Sequence, residues 1–332
     1  MLVKRLESLR RWVASCLGHQ EFDLAPASSD ASFRRYFRAT FDGGNYIVMD
    51  APPSHEDCRP FVKVANLFGD AGVHVPRVIA EDLGQGFLLL SDLGPVTYLS
   101  ALHESSAREL YLAANVALVK IQLASRPGEL PPYDRELLLR ELNLFPDWYV
   151  AKHLGQTLTE GQTHLLNQAF ERILANNLAQ PQVYVHRDYH SRNLMVSEPN
   201  PGILDFQDAV YGPITYDLAS LYRDAYIGWD EEQVLDWVIR YWEAARKARL
   251  PVAGDFYAFY RDFEWMGAQR HIKILGIFAR LYHRDGKDAY LKDLPLVMDY
   301  LRKTCERYTE LHPMLRLLDQ LANKAAQVGY TF

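Results

Sequence analysis

The chain has 332 residues, 48% of them hydrophobic and 23% charged, and carries a formal net charge of −6. That length fills one large core or two ordinary ones; the negative balance excludes a broad phosphate-neutralising surface for nucleic acid, and no apolar run reaches the roughly 18 residues of a membrane span. Three scattered cysteines, Cys16, Cys58 and Cys305, form neither a disulfide framework nor a zinc spacing, which fits a reducing compartment and a cytoplasmic protein.

Near the N-terminus, Leu2, Leu6, Leu9, Val13 and Leu17 recur every three or four residues, the spacing of an amphipathic helix packed on a body. Charges interrupt its apolar residues, so it lacks the core of a signal peptide, although its arginines also suit an organelle transit peptide. Strands are expected over 22–27, 33–41 and 46–50, with a polar loop at 28–32 and a turn at 42–45, giving an antiparallel meander. Backbone N–H groups of the Ser-rich loop, Ser32 included, can bind phosphate oxygens, and Arg34, Arg35 or Arg38 can add positive charge. The same arginines also suit the solvated face of an edge strand.

Pro52-Pro53 ends the third strand and a helix follows over 59–69, with Glu56 and Asp57 as acids before its N-terminus. Strands at 77–81 and 86–91 lead into Ser91-Asp92-Leu93-Gly94, a hinge at which backbone groups of Leu90, Ser91, Asp92 and Leu93 can meet an adenine edge. Beyond Ser105 the pattern turns helical: Leu110, Ala114, Ala117, Leu118 and Ile121 share one face, and Thr159 with Gln162 makes a capping box. Further helices are expected over 230–248, 255–283, 293–309 and 313–327, and Asp217 reads as a first-turn acid of a short helix. Arg270, Lys273, Arg280 and Arg284 follow at offsets of 3, 7 and 4, either a solvated stripe or a wall for an anionic substrate.

The most informative stretch is 183–208, VYVHRDYHSRNLMVSEPNPGILDFQD, which reads as a strand, a polar loop and a hairpin. His186-Arg187-Asp188 and Asn193 keep the H-R-D-x-x-x-x-N spacing of a kinase catalytic loop, and Asp205-Phe206 follows. The chemistry needs that set because one carboxylate must face the incoming hydroxyl while an amide and a second carboxylate hold Mg²⁺ against the phosphates. Eleven residues separate Asp205 from Asp217, too few for the activation segment of a protein kinase, which favours a small-molecule acceptor. A kinase nucleotide lobe also carries a glycine-rich loop and a third-strand lysine; here the loop lacks glycine and Met49 stands at the lysine position. That loss leaves a nucleotide-binding pseudokinase as a second reading.

The strings Ser29-Asp30-Ala31-Ser32-Phe33-Arg34-Arg35-Tyr36-Phe37-Arg38, Val48-Met49-Asp50-Ala51-Pro52-Pro53, His186-Arg187-Asp188 and Asp205-Phe206-Gln207-Asp208 resemble the aminoglycoside phosphotransferase superfamily. More narrowly, they and Gln269-Arg270-His271-Ile272-Lys273-Ile274-Leu275-Gly276 are similar to its bacterial amino-sugar branch, which phosphorylates N-acetylmuramate and N-acetylglucosamine at C1 in peptidoglycan recycling. The resemblance implies an α+β, bilobal protein-kinase-like fold: a small antiparallel-sheet N-lobe over 1–93 and a larger, mostly helical C-lobe over 94–332. It implies ATP and Mg²⁺ as cofactors, Asp188 as catalytic base, Asn193 and Asp205 as metal ligands, Leu90 to Leu93 as the adenine hinge, and Asp208 as an acid just behind the groups that touch metal and substrate or as a contact to the sugar. An aminoglycoside would want a strongly acidic pocket and choline an aromatic box. The cationic helix suits neither, whereas Arg270 suits a lactyl carboxylate. The expected partner is a small amino sugar, with no nucleic acid, no membrane and a monomeric chain.

Overall fold

The computed structural model describes residues 2–29 and 33–328. The chain packs as two compact units, Met1–Ala124 with Arg192–Ala209, and Ser125–Ser191 with Val210–Phe332. The sequence division at 93/94 marks the end of the sheet, whereas the division by packing falls at 124/125 and adds 192–209 to the first unit.

In the first unit, helix α1 (Leu2–Leu17) precedes strands β1 (Asp23–Ser29), β2 (Arg35–Phe41) and β3 (Gly44–Asp50), helix α2 (Arg59–Asp70), and strands β4 (Val78–Asp82) and β5 (Phe87–Ser91). The strands form one antiparallel sheet in the order β1-β2-β3-β5-β4. Phe87 and Leu89, two residues apart, turn to the same face, where they bury with Ala39, Val48 and the α1 residues Leu9 and Val13. The α1 periodicity is therefore a packing face, as the sequence suggests. Strand β3 starts two residues earlier than expected, because Asp42-Gly43 suffices as a two-residue hairpin loop and Phe41 pairs with Gly44. Gly86 has φ +71°, and a Cβ there would sit 1.9 Å from the Ala51 carbonyl oxygen, so only glycine lets the chain cross beside the end of β3. Helices α3 (Tyr98–Ala101) and α4 (Ala107–Leu123) and a hairpin of Leu194–Met195 with Gly202–Ile203 complete the unit. Bridges from Thr97 to Met195 and from His74 to Gly202 fix that hairpin.

The second unit holds α5 (Arg135–Leu142), a π-helical segment (Phe145–His153), α6 (Glu160–Leu178), a strand pair of Gln182–Val185 with Val210–Pro213, α7 (Tyr216–Tyr222), α8 (Glu231–Lys247), α9 (Phe256–Asp285), α10 (Leu294–Arg307) and α11 (His312–Val328). The capping box at Thr159 and Gln162 forms as expected and starts α6. Helix α9, 30 residues long, is the axis: it is buried almost continuously from Phe263 to Ala279. Gly276 makes this possible, since a Cβ would lie 2.3 Å from the Leu144 carbonyl carbon. A helix buried on all sides cannot keep a cationic stripe in water. The predicted stripe accordingly splits, with Arg270 and Lys273 buried, Arg280 half-buried and Arg284 exposed. The small antiparallel sheet and larger helical part make this the α+β architecture that the residues imply.

Candidate active site

Strand Gln182–Val185 delivers His186, Arg187 and Asp188 into a loop whose backbone is held by a distant carboxylate. Asp217 Oδ2 accepts the His186 N–H at 2.6 Å and Oδ1 accepts the Arg187 N–H at 2.9 Å. Arg187 has φ +78°, a conformation a long side chain avoids, and these two bonds hold it there. The sequence reading of Asp217 as a mere first-turn acid is thus incomplete. It does open α7, but it is 1% exposed and serves the loop, a tertiary role that local pattern does not reveal. Burial pushes its carboxyl up to about 7, against the pull of the two N–H groups and Arg270, and Asp188 adds to the rise. The far end of the loop is held in the same way, with Ser191 N and Oγ donating to Asp224 Oδ2 at 3.0 and 2.5 Å.

Asp188 itself is half-buried. Burial pushes its carboxyl up, but Lys273, His190, Arg270 and Arg187 outweigh that effect and hold it down at about 2. Two of these cations share a buried counter-ion that sequence reasoning missed. Glu141 Oε1, on α5, lies 2.8 Å from Lys273 Nζ and accepts from Arg187 Nη2 at 2.5 Å, while Tyr133 donates its hydroxyl to Oε2. Burial raises the Glu141 carboxyl, but Lys273 and Arg187 prevail and leave it below the usual range. Lys273 also donates to the Tyr216 hydroxyl at 3.1 Å. Arg270 Nη1 donates to the Arg187 carbonyl at 2.6 Å, and its guanidinium lies 5.1 Å from the Tyr216 ring centroid, so this candidate substrate contact braces the loop that carries Asp188.

In the first unit, Asn193 and Asp205 come together. The Leu204 N–H bonds to the Asn193 carbonyl at 2.9 Å, which aligns the two sides of the hairpin, and Asn193 Nδ2 stands 3.4 Å from Asp205 Oδ2. Asp205 has φ +61°, and Phe206 behind it packs against Phe61 and Phe68. Gln207 donates to Asp205 Oδ1 at 2.8 Å and reaches the exposed Asp208 at 3.5 Å. An amide oxygen and a carboxylate form a hard donor set that suits Mg²⁺, which is usually held by one or two carboxylates plus substrate phosphates. Among the described residues no three acidic, histidine or cysteine side chains form a closed metal cage.

The three candidate arginines have different fates. Arg35 Nε donates to the buried Asp50 at 3.1 Å, and Arg38 is bidentate with Asp92, at 2.6 and 3.2 Å. Both are engaged with structural carboxylates. Arg34 instead lies 3.9 Å from Asp205, and Ser32 falls outside the described residues. Met49 is fully buried in the sheet core. At the hinge, Ser91 pairs with Arg77 through its backbone N–H and its hydroxyl, Asp92 is taken by Arg38, and Leu90 and Leu93 are buried, so only the backbone past β5 is suited to meet a base.

The model of the phosphotransferase enzyme family matches residues 23–252. The chain belongs to this family. It is 52% identical over 336 residues to an N-acetylmuramate/N-acetylglucosamine kinase of Neisseria meningitidis, with 99% of this chain and all of that protein covered. A kinase of the same description from Pseudomonas aeruginosa is 51% identical over 97% of this chain and 98% of its own length. The fold is shared with a choline/ethanolamine kinase family protein from Mesorhizobium loti (TM-score 0.63, 15% identity, 94% of this chain and 98% of that one). It is also shared with choline kinase LicA from Streptococcus pneumoniae (TM-score 0.61, 14% identity, 90% and 98%). The family membership makes this chain a phosphoryl-transferring enzyme with ATP as co-substrate, in line with the resemblance carried by its motifs.

Proposed function

We propose that the protein transfers the γ-phosphoryl group of ATP to the anomeric hydroxyl of N-acetylmuramate or N-acetylglucosamine. The observation that carries this reading is identity over nearly the whole chain, at 52% and 51%, to relatives described as kinases of these two sugars. Asp188 supports the choice of hydroxyl. Held at about 2, it is a weak base that suits an acceptor already acidic by its own chemistry. The ring oxygen of a pyranose withdraws electrons from C1, so the C1 hydroxyl is the most acidic on the sugar.

In this reading Asp188 accepts a hydrogen bond from the C1 hydroxyl and orients its oxygen. The oxygen forms a bond to the γ-phosphorus as the bond to the ADP oxygen breaks, and the proton passes to Asp188 and then to solvent. Asn193 and Asp205 would hold Mg²⁺, which neutralises phosphate charge when bound. Arg34 and Ser32 would contact the nucleotide phosphates, the backbone of Asp92 and Leu93 just past β5 would meet the adenine, and Asp208 would contact the sugar while Arg270 acts on it through the loop that it braces. A monomer in the cytoplasm completes the reading. Among the described residues no helix is long and apolar enough to cross a membrane.

The test is a pair of acceptors. Free N-acetylglucosamine should be phosphorylated to an acid-labile 1-phosphate, while its methyl glycoside, blocked at C1 but free at C6, should be inert. Equal rates on the two, or a product that survives mild acid, would overturn the anomeric assignment and leave the kinase assignment standing.

A further inference from the structure

The catalytic loop is backed by more buried charge than loop geometry requires. Arg187, Arg270 and Lys273 bring three cations to Asp188, the last two from α9 and the first from the loop itself, with His190 also from the loop and Asp217 from α7 as further titratable neighbours. Lys273 exerts the strongest attraction of these on Asp188. It is 7% exposed, as Glu141 is 5%, and the two stand 2.8 Å apart. Glu141 also takes Arg187, so one carboxylate from α5 binds a loop residue and an α9 residue at once. Tyr133 and Tyr216, with ring centroids 5.1 Å apart, close the arrangement by bonding to Glu141 and Lys273 respectively.

We propose that Glu141 and Lys273 are a buried positioning pair that fixes the Arg187–Asp188 segment and sets how much positive charge lies behind Asp188, adapting the loop to an intrinsically acidic hydroxyl. The proposal deepens the anomeric-kinase reading and rests on it. Removing Glu141 alone leaves Lys273 and Arg187 in a dry site without their shared carboxylate, and removing Lys273 alone leaves Glu141 to Arg187, whereas removing both takes out equal and opposite charge, which is better tolerated than leaving one charge uncompensated. The two members also place opposite charge behind Asp188: Lys273 stabilises the carboxylate, and Glu141, paired with Lys273 and Arg187, offsets part of their charge. A packing role alone gives no such opposition.

The experiment compares the full chain with Lys273→Met, Glu141→Gln and the double variant, using free N-acetylglucosamine and ATP from pH 5 to 9, with folding checked by thermal melting. Wild-type turnover on the free sugar but not on its methyl glycoside keeps the parent reading in force; failure there overturns that reading, not this pair. Lys273→Met should bring the start of an acid limb of kcat into the measured range, with a fall of up to about twofold at pH 5 relative to pH 8, since losing one neighbouring cation raises a carboxyl by about 1 to 3 units. Glu141→Gln should lower kcat about 10- to 100-fold at every pH without that limb. The double variant should recover at least about tenfold over the poorer single variant. KM for ATP should stay within about threefold throughout, since the pair touches the loop and not the nucleotide. Acid limbs moving together in both single variants, a double variant no better than the poorer single, or losses confined to the KM for ATP would each overturn the proposal. If one single variant melts below the assay temperature, the double variant decides: a folded, active double supports the pair, and an unfolded or inactive one overturns it.

Discussion

Arg34 Nη2 lies 3.9 Å from Asp205 Oδ1, and the Arg34 side chain keeps only 11% of its surface exposed. At that separation the two attract without a direct hydrogen bond. A phosphate oxygen next to Asp205 would lie within reach of the guanidinium, and that position suits Arg34 to the work a third-strand lysine does in other kinases. Replacing Arg34 by Met should raise the KM for ATP by about 10- to 150-fold, the equivalent of roughly 1.5 to 3 kcal/mol for such a bond. Arg35→Met should behave differently. It leaves the buried Asp50 with Arg5 alone, so melting temperature falls while KM for ATP hardly moves. Initial rates against ATP, paired with melting curves, separate the two, and an unchanged KM in the Arg34 variant would assign the phosphate charge elsewhere.

Asp188→Asn should lose turnover by about 10² to 10⁴-fold, the usual contribution of a positioned acid or base. Binding of Mg-ATP, measured by calorimetry, should persist in this variant. Near-normal turnover would remove Asp188 from the role.

Asp217 predicts a pH-dependent stability. Its folded carboxyl, raised to about 7, binds a proton that the unfolded chain releases at the ordinary value near 4. The contribution is therefore full below about pH 4 and is lost as pH rises through 7, at up to about 1.4 kcal/mol per pH unit. Asp217→Asn lacks this proton, so the stability gap between wild type and variant should shrink from pH 5 to pH 7.5. Urea unfolding at both values measures it, and a constant gap would mean that Asp217 titrates as an ordinary carboxyl.

Gly276→Ala should be markedly destabilising, by about 1 to 3 kcal/mol or more, because its Cβ would meet the Leu144 backbone at 2.3 Å. Gly254→Ala provides the control, since a Cβ there meets nothing within 4 Å. Melting curves of the two variants should differ clearly; if they coincide, α9 and the segment before residue 145 have room to part.

The local elements were legible because they obey local rules. The α1 face, the Asp42-Gly43 hairpin, the Thr159–Gln162 box and the His186-Arg187-Asp188 spacing all sit within a few residues of the features that define them. What was not legible depends on long-range register or packing. Nothing near Glu141 distinguishes it from Glu136 on the same short charged helix, yet one is buried against Arg187 and the other is exposed. Asp217 looked like a helix-start acid because it is one, and its bonds to residues 186 and 187 depend on where the strand before the loop runs. Arg34, Arg35 and Arg38 appeared equivalent. Only the strand register, which sets Arg35 opposite Asp50, and the carboxylate at Asp92 tell them apart.

Helix α1 has a further consequence for handling the protein. Arg5 donates to Asp50 Oδ1 at 2.8 Å and to the Gln85 carbonyl at 2.8 Å, while Leu9 and Val13 bury against the sheet. A chain trimmed of its first turns would leave an acid in a dry sheet with half its cationic support and open a greasy flank on five strands. Such a fragment should clump on expression, and an affinity tag is better placed at the other end.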